Sequence, residues 1–154
     1  MTREEQLIEA RNIIHLLPQQ PPAVLVDSVV EVNPGQRILA TKCISINDPA
    51  FAGHYPGMPV YPATTLIEAM LQTCTILAYA TSRYDPAEVA VAPIGINKCK
   101  FRRVLLPGDV VDLQADLVLR RSNVWRFDAT AHVDDHLVAE ASLAISIINR
   151  EDLY

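Results

Sequence analysis

The stretch 64–81 constrains the fold most, because it runs without glycine or proline directly after a segment rich in both. That segment, 47–62, holds too many helix breakers for a regular element and is predicted to be a structured loop. Pro62 suits the first turn of a helix, and 64–81 then supplies about five turns. Apolar residues occupy nearly every side of this helix, so it should be buried. Another part of the chain must therefore wrap it.

The strands predicted around this helix come mostly from the second half of the chain. The stretches 89–101, 110–119, 124–133 and 137–148 are rich in β-branched, aliphatic and aromatic residues and are separated by turn signals. Before the helix, 24–32 and 37–46 flank Asn33-Pro34-Gly35 and predict a hairpin, and 3–17 predicts a short leading helix. About six strands curling around one buried helix form an α+β fold, and we expect a single domain over 1–154.

The composition excludes several classes of protein. Thirteen Lys and Arg against 18 Asp and Glu give a net charge of −5, which lacks the basic footprint of a nucleic-acid binder. No apolar run is long enough to span a membrane and the first residues do not form a signal peptide, so we expect a cytoplasmic protein. Cys43, Cys74 and Cys99 are odd in number and lie in apolar strings, which predicts buried free thiols.

One histidine stands out from the other three. We expect His15, His132 and His136 to be ordinary surface or partly buried side chains. His54 lies in a loop made rigid by glycine and proline, immediately before the buried helix, where it can be held in one pose at the mouth of an apolar cavity. A purely structural role in the loop is the alternative.

Glu68 is the second unusual residue, because it is a carboxylate within an apolar helix. Apolar surroundings penalise an ionised carboxylate unless it is paired, and they favour a protonated acid that can donate. With His54 it would form a general acid/base pair; the alternative is that Glu68 points to solvent at a sheet edge. The N–H groups of Ala63 and Thr64, at the start of the helix, could polarise a carbonyl oxygen. No metal-ligand spacing and no nucleophile motif competes with this pair.

A family resemblance follows from these residues. The segment 52–63, which reads Ala-Gly-His-Tyr-Pro-Gly-Met-Pro-Val-Tyr-Pro-Ala, together with Leu66-Ile67-Glu68-Ala69-Met70 and Gln72, closely resembles the signature of the hot-dog-fold 3-hydroxyacyl-[acyl-carrier-protein] dehydratases of fatty-acid synthesis. Weaker matching pieces extend in the right order over nearly the full chain. The resemblance implies a hot-dog fold, in which a curved antiparallel sheet of about six strands wraps one long helix.

The resemblance also implies a reaction, a set of site residues and no cofactor. His54 would remove a C2 proton from a (3R)-3-hydroxyacyl thioester, and Glu68 would protonate or orient the departing C3 hydroxyl, giving a trans-2-enoyl thioester and water. The backbone N–H of Ala63 would hold the thioester oxygen. Further substrate contacts are implied for Gly57, Tyr61 and Gln72.

Partners are implied as well. In such dehydratases the His and Glu that meet come from different protomers, so the dimer is the catalytic unit, and many bacterial members assemble as trimers of dimers. The substrate arrives on an acyl carrier protein, whose acidic surface would meet basic residues near the mouth of the acyl tunnel. The candidates for that contact are Lys98, Lys100, Arg102, Arg103, Arg120 and Arg121.

Several positions depart from the family pattern. Tyr55 stands where phenylalanine is common, Ala63 where glycine is usual, Thr64-Thr65 where an apolar pair is common, and 19–22 where a His-Arg-aromatic segment is common. Because the lining of a pocket sets which acyl chain fits, our hypothesis is that these changes mark a dehydratase of a specialised fatty-acid or polyketide pathway. A hot-dog acyl thioesterase and a non-catalytic acyl-carrier-binding paralogue are the alternative functions.

Overall fold

The computed structural model describes residues 10–153, which form one antiparallel sheet, two α-helices and two short 3₁₀ helices. The α-helices are α1 (Ala10–Leu16) and α2 (Ala63–Ser82), and the strands are β1 (Ser28–Asn33), β2 (Arg37–Cys43), β3 (Val89–Phe101), β4 (Val110–Arg121), β5 (Val124–Val133) and β6 (His136–Asn149). The 3₁₀ helices are Pro49–Phe51 and Arg150–Leu153. The first part of the leading helix predicted over 3–17 lies outside the described residues.

The sheet has the strand order β1-β2-β4-β5-β6-β3, with every neighbouring pair antiparallel. Alternation along the strands sends one set of side chains towards α2, including Trp125 and Phe127, which are both 0% exposed. Irregularities interrupt several of the ladders, and such bulges increase the local twist of a sheet. The sheet therefore curls around the helix, as the sequence predicted.

Helix α2 is the core element of this fold. It begins directly after Pro62, whose backbone is extended, and ends at Arg83, whose left-handed conformation lets its N–H bond to the carbonyl of Tyr79 at 2.9 Å. Thirteen of its 20 residues are buried, so it is the covered helix that its composition predicted. The α+β, hot-dog-type fold class is thus confirmed. Within residues 10–153, no helix combines the length and hydropathy needed to cross a membrane.

The prediction of three buried thiols is only partly right. Cys74 on α2 is buried, whereas Cys43 is exposed and Cys99 is half-buried. Cys43 is the last residue of β2, and the inward side of that strand is occupied by Ile38, Ala40 and Lys42. Strand alternation therefore turns Cys43 outward despite its apolar neighbours in the sequence.

Candidate active site

The loop before α2 is held by a series of backbone hydrogen bonds. Asp48 caps the 3₁₀ helix Pro49–Phe51, because its carboxylate accepts from the N–H of Ala50 at 2.9 Å. The carbonyl of Phe51 then accepts from the N–H of His54 at 3.2 Å. Gly53 and Gly57 have φ values of +82° and +77°, a left-handed backbone that glycine adopts without a steric penalty. These hydrogen bonds give the predicted loop a defined conformation, so the loop can hold a side chain in place.

His54 is oriented by the loop itself. Its Nδ1 lies 3.0 Å from the carbonyl oxygen of Val60, and the N–H of Val60 bonds back to the carbonyl of His54 at 3.3 Å. A carbonyl oxygen only accepts, so Nδ1 must carry the proton in this bond, and Nε2 of the neutral ring keeps its lone pair. The half-buried ring also stacks on Tyr55, with centroids 4.2 Å apart. His54 therefore presents a basic nitrogen.

Glu68 is held through one of its two oxygens. Its Oε1 accepts from Nε2 of Gln19 at 3.1 Å and from Nε2 of Gln72 at 2.9 Å. The side chain is half-buried and lines a cleft of about 530 Å³ that Thr64 and Thr65 also line. The helix predicted to be buried is therefore open to solvent on one side of its first two turns in the single chain. His54 is not among the described residues that line this cleft.

Gln72 is placed behind Glu68 rather than in the open cleft. It is 1% exposed, and its Oε1 accepts from the N–H of Leu25 at 2.8 Å. Its Nε2 donates to the carbonyl of Ala23 at 2.8 Å as well as to Glu68. Both amide hydrogens are used within the chain, so this geometry fits a residue that orients Glu68. The substrate contact expected of Gln72 stays a prediction that its bonding does not support.

The start of α2 offers two free backbone donors. Within the described residues, the N–H groups of Ala63 and Thr64 have no hydrogen-bond partner, whereas those of Thr65 and Leu66 bond to the carbonyl of Pro62. Ala63 is not among the residues with positive φ, so alanine is unstrained where the resembling family usually has glycine. Ala63 also lines a cavity of about 310 Å³ with Tyr61 and Leu66 on one side and residues 101–105 on the other.

Tyr61 contributes its ring to that cavity but buries its hydroxyl. The residue is 4% exposed, and its hydroxyl has no hydrogen-bond partner within the described residues. Burial raises the pKa of Tyr61 above its ordinary value, and the nearby carboxylates of Asp48 and Asp27 raise it further. Tyr61 is therefore a neutral wall of the cavity.

The six basic residues proposed for carrier contact are all on strands or loops that reach the surface, but only two line this cavity. Arg102 and Arg103 line it, and they also pair with Glu140 at 2.6 Å and Asp109 at 3.7 Å respectively. The other four lie elsewhere on β3 and at the end of β4. Lys98 and Lys100 line a separate groove beside Asp128. The guanidinium carbon of Arg120 lies 4.4 Å from the ring centroid of Trp125, and Arg121 is the last residue of β4.

Three residues around the site were not predicted from the sequence: Gln19, Lys42 and Asp48. Gln19 lies in the segment that departs from the resembling family, and nothing in one sequence places that segment against Glu68. Alternation along β2 could have indicated the other two, because Lys42 falls on the inward side of this strand with Ile38 and Ala40. A charged side chain at an inward position needs a partner, and Asp48 provides it at 3.1 Å.

The arrangement offers a base, an acid and anion-stabilising donors. His54 can accept a proton, Glu68 can donate one, and the helix N-terminus can hold an oxygen on which negative charge develops. Such a set suits proton abstraction next to a carbonyl with loss of a hydroxyl group.

Comparison with known proteins gives consistent matches over most of the chain. The family model described as a FabA-like domain matches residues 17–142. A "3-hydroxyacyl-[acyl-carrier-protein] dehydratase FabZ" of Sorangium cellulosum (strain So ce56) is 37% identical over 150 residues, covering 97% of each chain. A protein of the same name from Anaeromyxobacter sp. (strain Fw109-5) is 39% identical over 147 residues, covering 94% of this chain and 93% of that one.

Among solved structures, the chain resembles one in "The Dehydratase Heterocomplex ApeI:P from Xenorhabdus doucetiae". The TM-score is 0.76, the identity is 19%, and the match covers 92% of this chain and 93% of that chain. At this level of identity the similarity supports the fold alone.

Proposed function

The chain belongs to the FabA-like domain family, and on that premise we propose that it dehydrates (3R)-3-hydroxyacyl-[acyl-carrier-protein] to the trans-2-enoyl thioester in fatty-acid or related acyl-chain synthesis. The observation that carries this proposal is the bond from Nδ1 of His54 to the carbonyl of Val60, which leaves Nε2 free as a base. The FabZ relatives, at 37% and 39% identity, support the same activity.

The first half of the reaction is proton removal at C2. Nε2 of His54 takes the proton, and the resulting imidazolium is stabilised because its Nδ1–H already donates to the carbonyl of Val60. Negative charge then develops on the thioester oxygen. The N–H of Ala63, which has no partner within the described residues, is positioned at the helix N-terminus to hold that oxygen.

The second half is loss of the C3 hydroxyl. Glu68 gives its proton to the hydroxyl, the C3–O bond breaks, and water leaves as the C2–C3 double bond forms. Gln19 and Gln72 fix Oε1 of Glu68, so Oε2 is the oxygen available for this transfer. After each cycle His54 releases the proton it gained and Glu68 takes up the proton it lost, both by exchange with solvent.

We place each active site between two protomers. His54 is not among the described residues that line the cleft beside Glu68 in the single chain, which supports a site that a second copy completes. β3 supports this, because among the described strands it lies at the edge of the sheet and pairs with β6 alone, and it exposes Ile94 and Ile96 by 53% and 50%. Pairing of this edge with its symmetry mate buries both. Association of three such dimers into a hexamer stays a prediction, which the mass in solution checks.

The carrier protein is proposed to dock beside the cavity at Ala63. Arg102 and Arg103 line that cavity and project from the protein surface, whereas the other four basic candidates do not line it. An acidic carrier would meet these two guanidinium groups by charge complementarity, which acts mainly on the association rate.

The test is a spectroscopic dehydration assay on 3-hydroxybutyryl and longer carrier thioesters. His54→Ala and Glu68→Gln should each lower turnover about a hundredfold or more, with the folded assembly intact. His136→Ala is the matched control, because Nδ1 of His136 also faces a backbone carbonyl, that of Asp134 at 2.7 Å, but at the β5–β6 turn. A free thiol as product would indicate a thioesterase, and no turnover of any thioester would indicate a non-catalytic carrier-binding protein.

Subunit mixing tests the shared site. When the His54→Ala and Glu68→Gln chains are co-expressed, a heterodimer with sites shared across the interface contains one intact site. With random pairing, about a quarter of wild-type activity should return. If each site lies within one chain, no pairing restores an intact site and the mixture stays as inactive as its parents.

A further inference from the structure

The side chain of Lys42 lies on the inward side of its strand rather than on the side that faces solvent. The residue is 6% exposed, on the face of β2 that Ile38 and Ala40 turn towards α2. Its Nζ lies 3.1 Å from Oδ2 of Asp48 and 3.9 Å from Oδ2 of Asp27. The Asp48 side chain is also largely covered, at 11% exposure, whereas that of Asp27 is 45% exposed. Lys42 and Asp48 thus form a buried ion pair.

Such a pair is a poor way to stabilise a fold. Removing both charges from water costs about as much free energy as their attraction returns, and apolar replacements are often as stable. Asp27 does not need Lys42, because its Oδ2 already accepts from the N–H of Cys43 at 2.6 Å. A contribution to stability therefore does not explain why Lys42 and Asp48 are paired.

The position of Asp48 offers a functional explanation for the pair. While Oδ2 meets Lys42, Oδ1 accepts from the N–H of Ala50 and closes the 3₁₀ helix Pro49–Phe51. That helix ends in the carbonyl that accepts from the N–H of His54. A continuous series of contacts therefore runs from the sheet, through Lys42 and Asp48, to the backbone of the proposed base.

Asp48 also lines the cleft beside Glu68. Its carboxylate is the second acidic side chain on that cleft. Lys42 neutralises it from the buried side and leaves the open side of the cleft free.

We propose that Lys42 and Asp48 are positioning residues for the dehydration, holding the His54 loop against β2 through their ion pair. This inference rests on the proposed function of His54. In this proposal neither residue exchanges a proton with the substrate; both act through the 3₁₀ helix that carries the loop.

The test compares Lys42→Met, Asp48→Asn and the double variant. The amide introduced by Asp48→Asn can still cap Ala50 through its oxygen, but it then presents a donor rather than an acceptor to Lys42. Each single variant should lower kcat about ten- to a hundredfold with KM within about twofold, as expected when a reacting group is misplaced by about 1 Å. The double variant should be no worse than the worse single one, because the two residues act as a unit. Lys42→Arg, which keeps the charge, should recover most of kcat.

The matched control is Arg37→Met. Arg37 lies on the same strand and pairs with Asp116 on β4 at 2.6 Å, but both side chains are substantially exposed, at 50% and 35%. Its kcat should equal that of the wild type. If the folded Lys42→Met and Asp48→Asn chains also keep wild-type kcat, the proposal is wrong.

A second readout does not depend on turnover. Nitrogen NMR of His54 should report the Nδ1-protonated form in the wild type and a mixture of tautomers in Lys42→Met, since the loop that fixes the ring is released. If Lys42→Met does not fold, the double variant is the decisive measurement, because it leaves neither charge of the pair without its partner. If the double variant also fails to fold, the pair is purely structural and the proposal is wrong. An inactive wild type with the expected NMR change would contradict the proposed function but not the positioning.

Discussion

The two halves of α2 differ in what covers them. In the C-terminal half, Cys74, Ile76 and Leu77 are 0% exposed beneath the curled sheet. In the first two turns, Thr64 is exposed and Glu68 is half-buried on an open cleft. Leu66, Ile67 and Ala69 are buried in the same turns, so the helix is a core element along its length and also a chemical surface on one side of its first two turns.

This difference shows how one element can serve stability and chemistry. The buried half removes apolar area from water and fixes the axis of the helix. The open side of the first two turns keeps the first N–H groups and one carboxylate oxygen free for a substrate, on a helix that the core holds in place. Substitutions near the N-terminus should therefore change turnover more than stability, and substitutions in the buried half should do the reverse.

The largest effect is expected at the helix N-terminus. Ala63→Pro removes only the N–H proposed to hold the thioester oxygen; proline suits the first position of a helix, and the extended backbone of Pro62 is compatible with a following proline. We expect kcat to fall about 100- to 1,000-fold with little change in melting temperature. Ala63→Gly, which keeps the N–H, is the control. Turnover close to that of the wild type in Ala63→Pro would remove this N–H from the mechanism.

The buried half should show the opposite behaviour. Ile76→Ala leaves a cavity at a residue with 0% exposure and should lower the free energy of unfolding by about 2–5 kcal/mol. Denaturant unfolding measures the loss, and kcat of the remaining folded protein at low temperature should be unchanged. A fall in kcat without a loss of stability would show that the two halves are not separate in function.

Gln72 joins the two halves, so its replacement should affect both properties. Gln72→Leu leaves the buried N–H of Leu25 without an acceptor, which costs about 1–3 kcal/mol, and removes one of the two donors to Glu68. Both kcat and the unfolding free energy should fall. Thr73→Val is the control, because the hydroxyl of Thr73 bonds only within the helix, to the carbonyl of Ala69 at 2.9 Å. An unchanged kcat in Gln72→Leu would mean that Gln19 alone suffices to hold Glu68.

The smallest effect concerns alkaline pH. Burial raises the pKa of the Cys74 thiol well above its ordinary value, so the folded chain keeps a proton that the unfolded chain loses above about pH 8.5. The stability is therefore complete below that pH and falls as the pH rises, by up to about 1.4 kcal/mol per pH unit for this group. Cys74→Ala should flatten the fall between about pH 8.5 and 9.5, measured by denaturant unfolding, whereas Cys43→Ala, at an exposed thiol, should not.

Local patterns in the sequence were enough to predict the elements of the fold. Val89–Phe101 and Val124–Val133 have the predicted bounds, and α2 extends the predicted helix by one residue at each end. These signals are local, because glycine and proline interrupt the chain and β-branched residues favour strands wherever they occur. The burial of α2 also followed from its composition, but the open side of its first two turns did not.

Contacts between distant residues were beyond the reach of the sequence. Gln19 and Glu68 are 49 positions apart, so only the folded chain shows that they bond. Lys42 and Asp48 are close in the sequence, but alternation indicates only that Lys42 needs a partner, and the fold shows that the partner is Asp48. The exposure of Cys43 and the engagement of both Gln72 amide hydrogens depend in the same way on which neighbours the fold supplies.

By itself, the sequence determined that one apolar helix must be wrapped by strands, and it singled out His54, Glu68 and the start of that helix as the groups able to react. The tertiary structure decided which nitrogen of His54 is free, which oxygen of Glu68 is held, and that Lys42 is buried against Asp48. The physical reason is range: propensity and periodicity act between neighbours in the chain, whereas hydrogen bonds and ion pairs depend on distances that only folding sets.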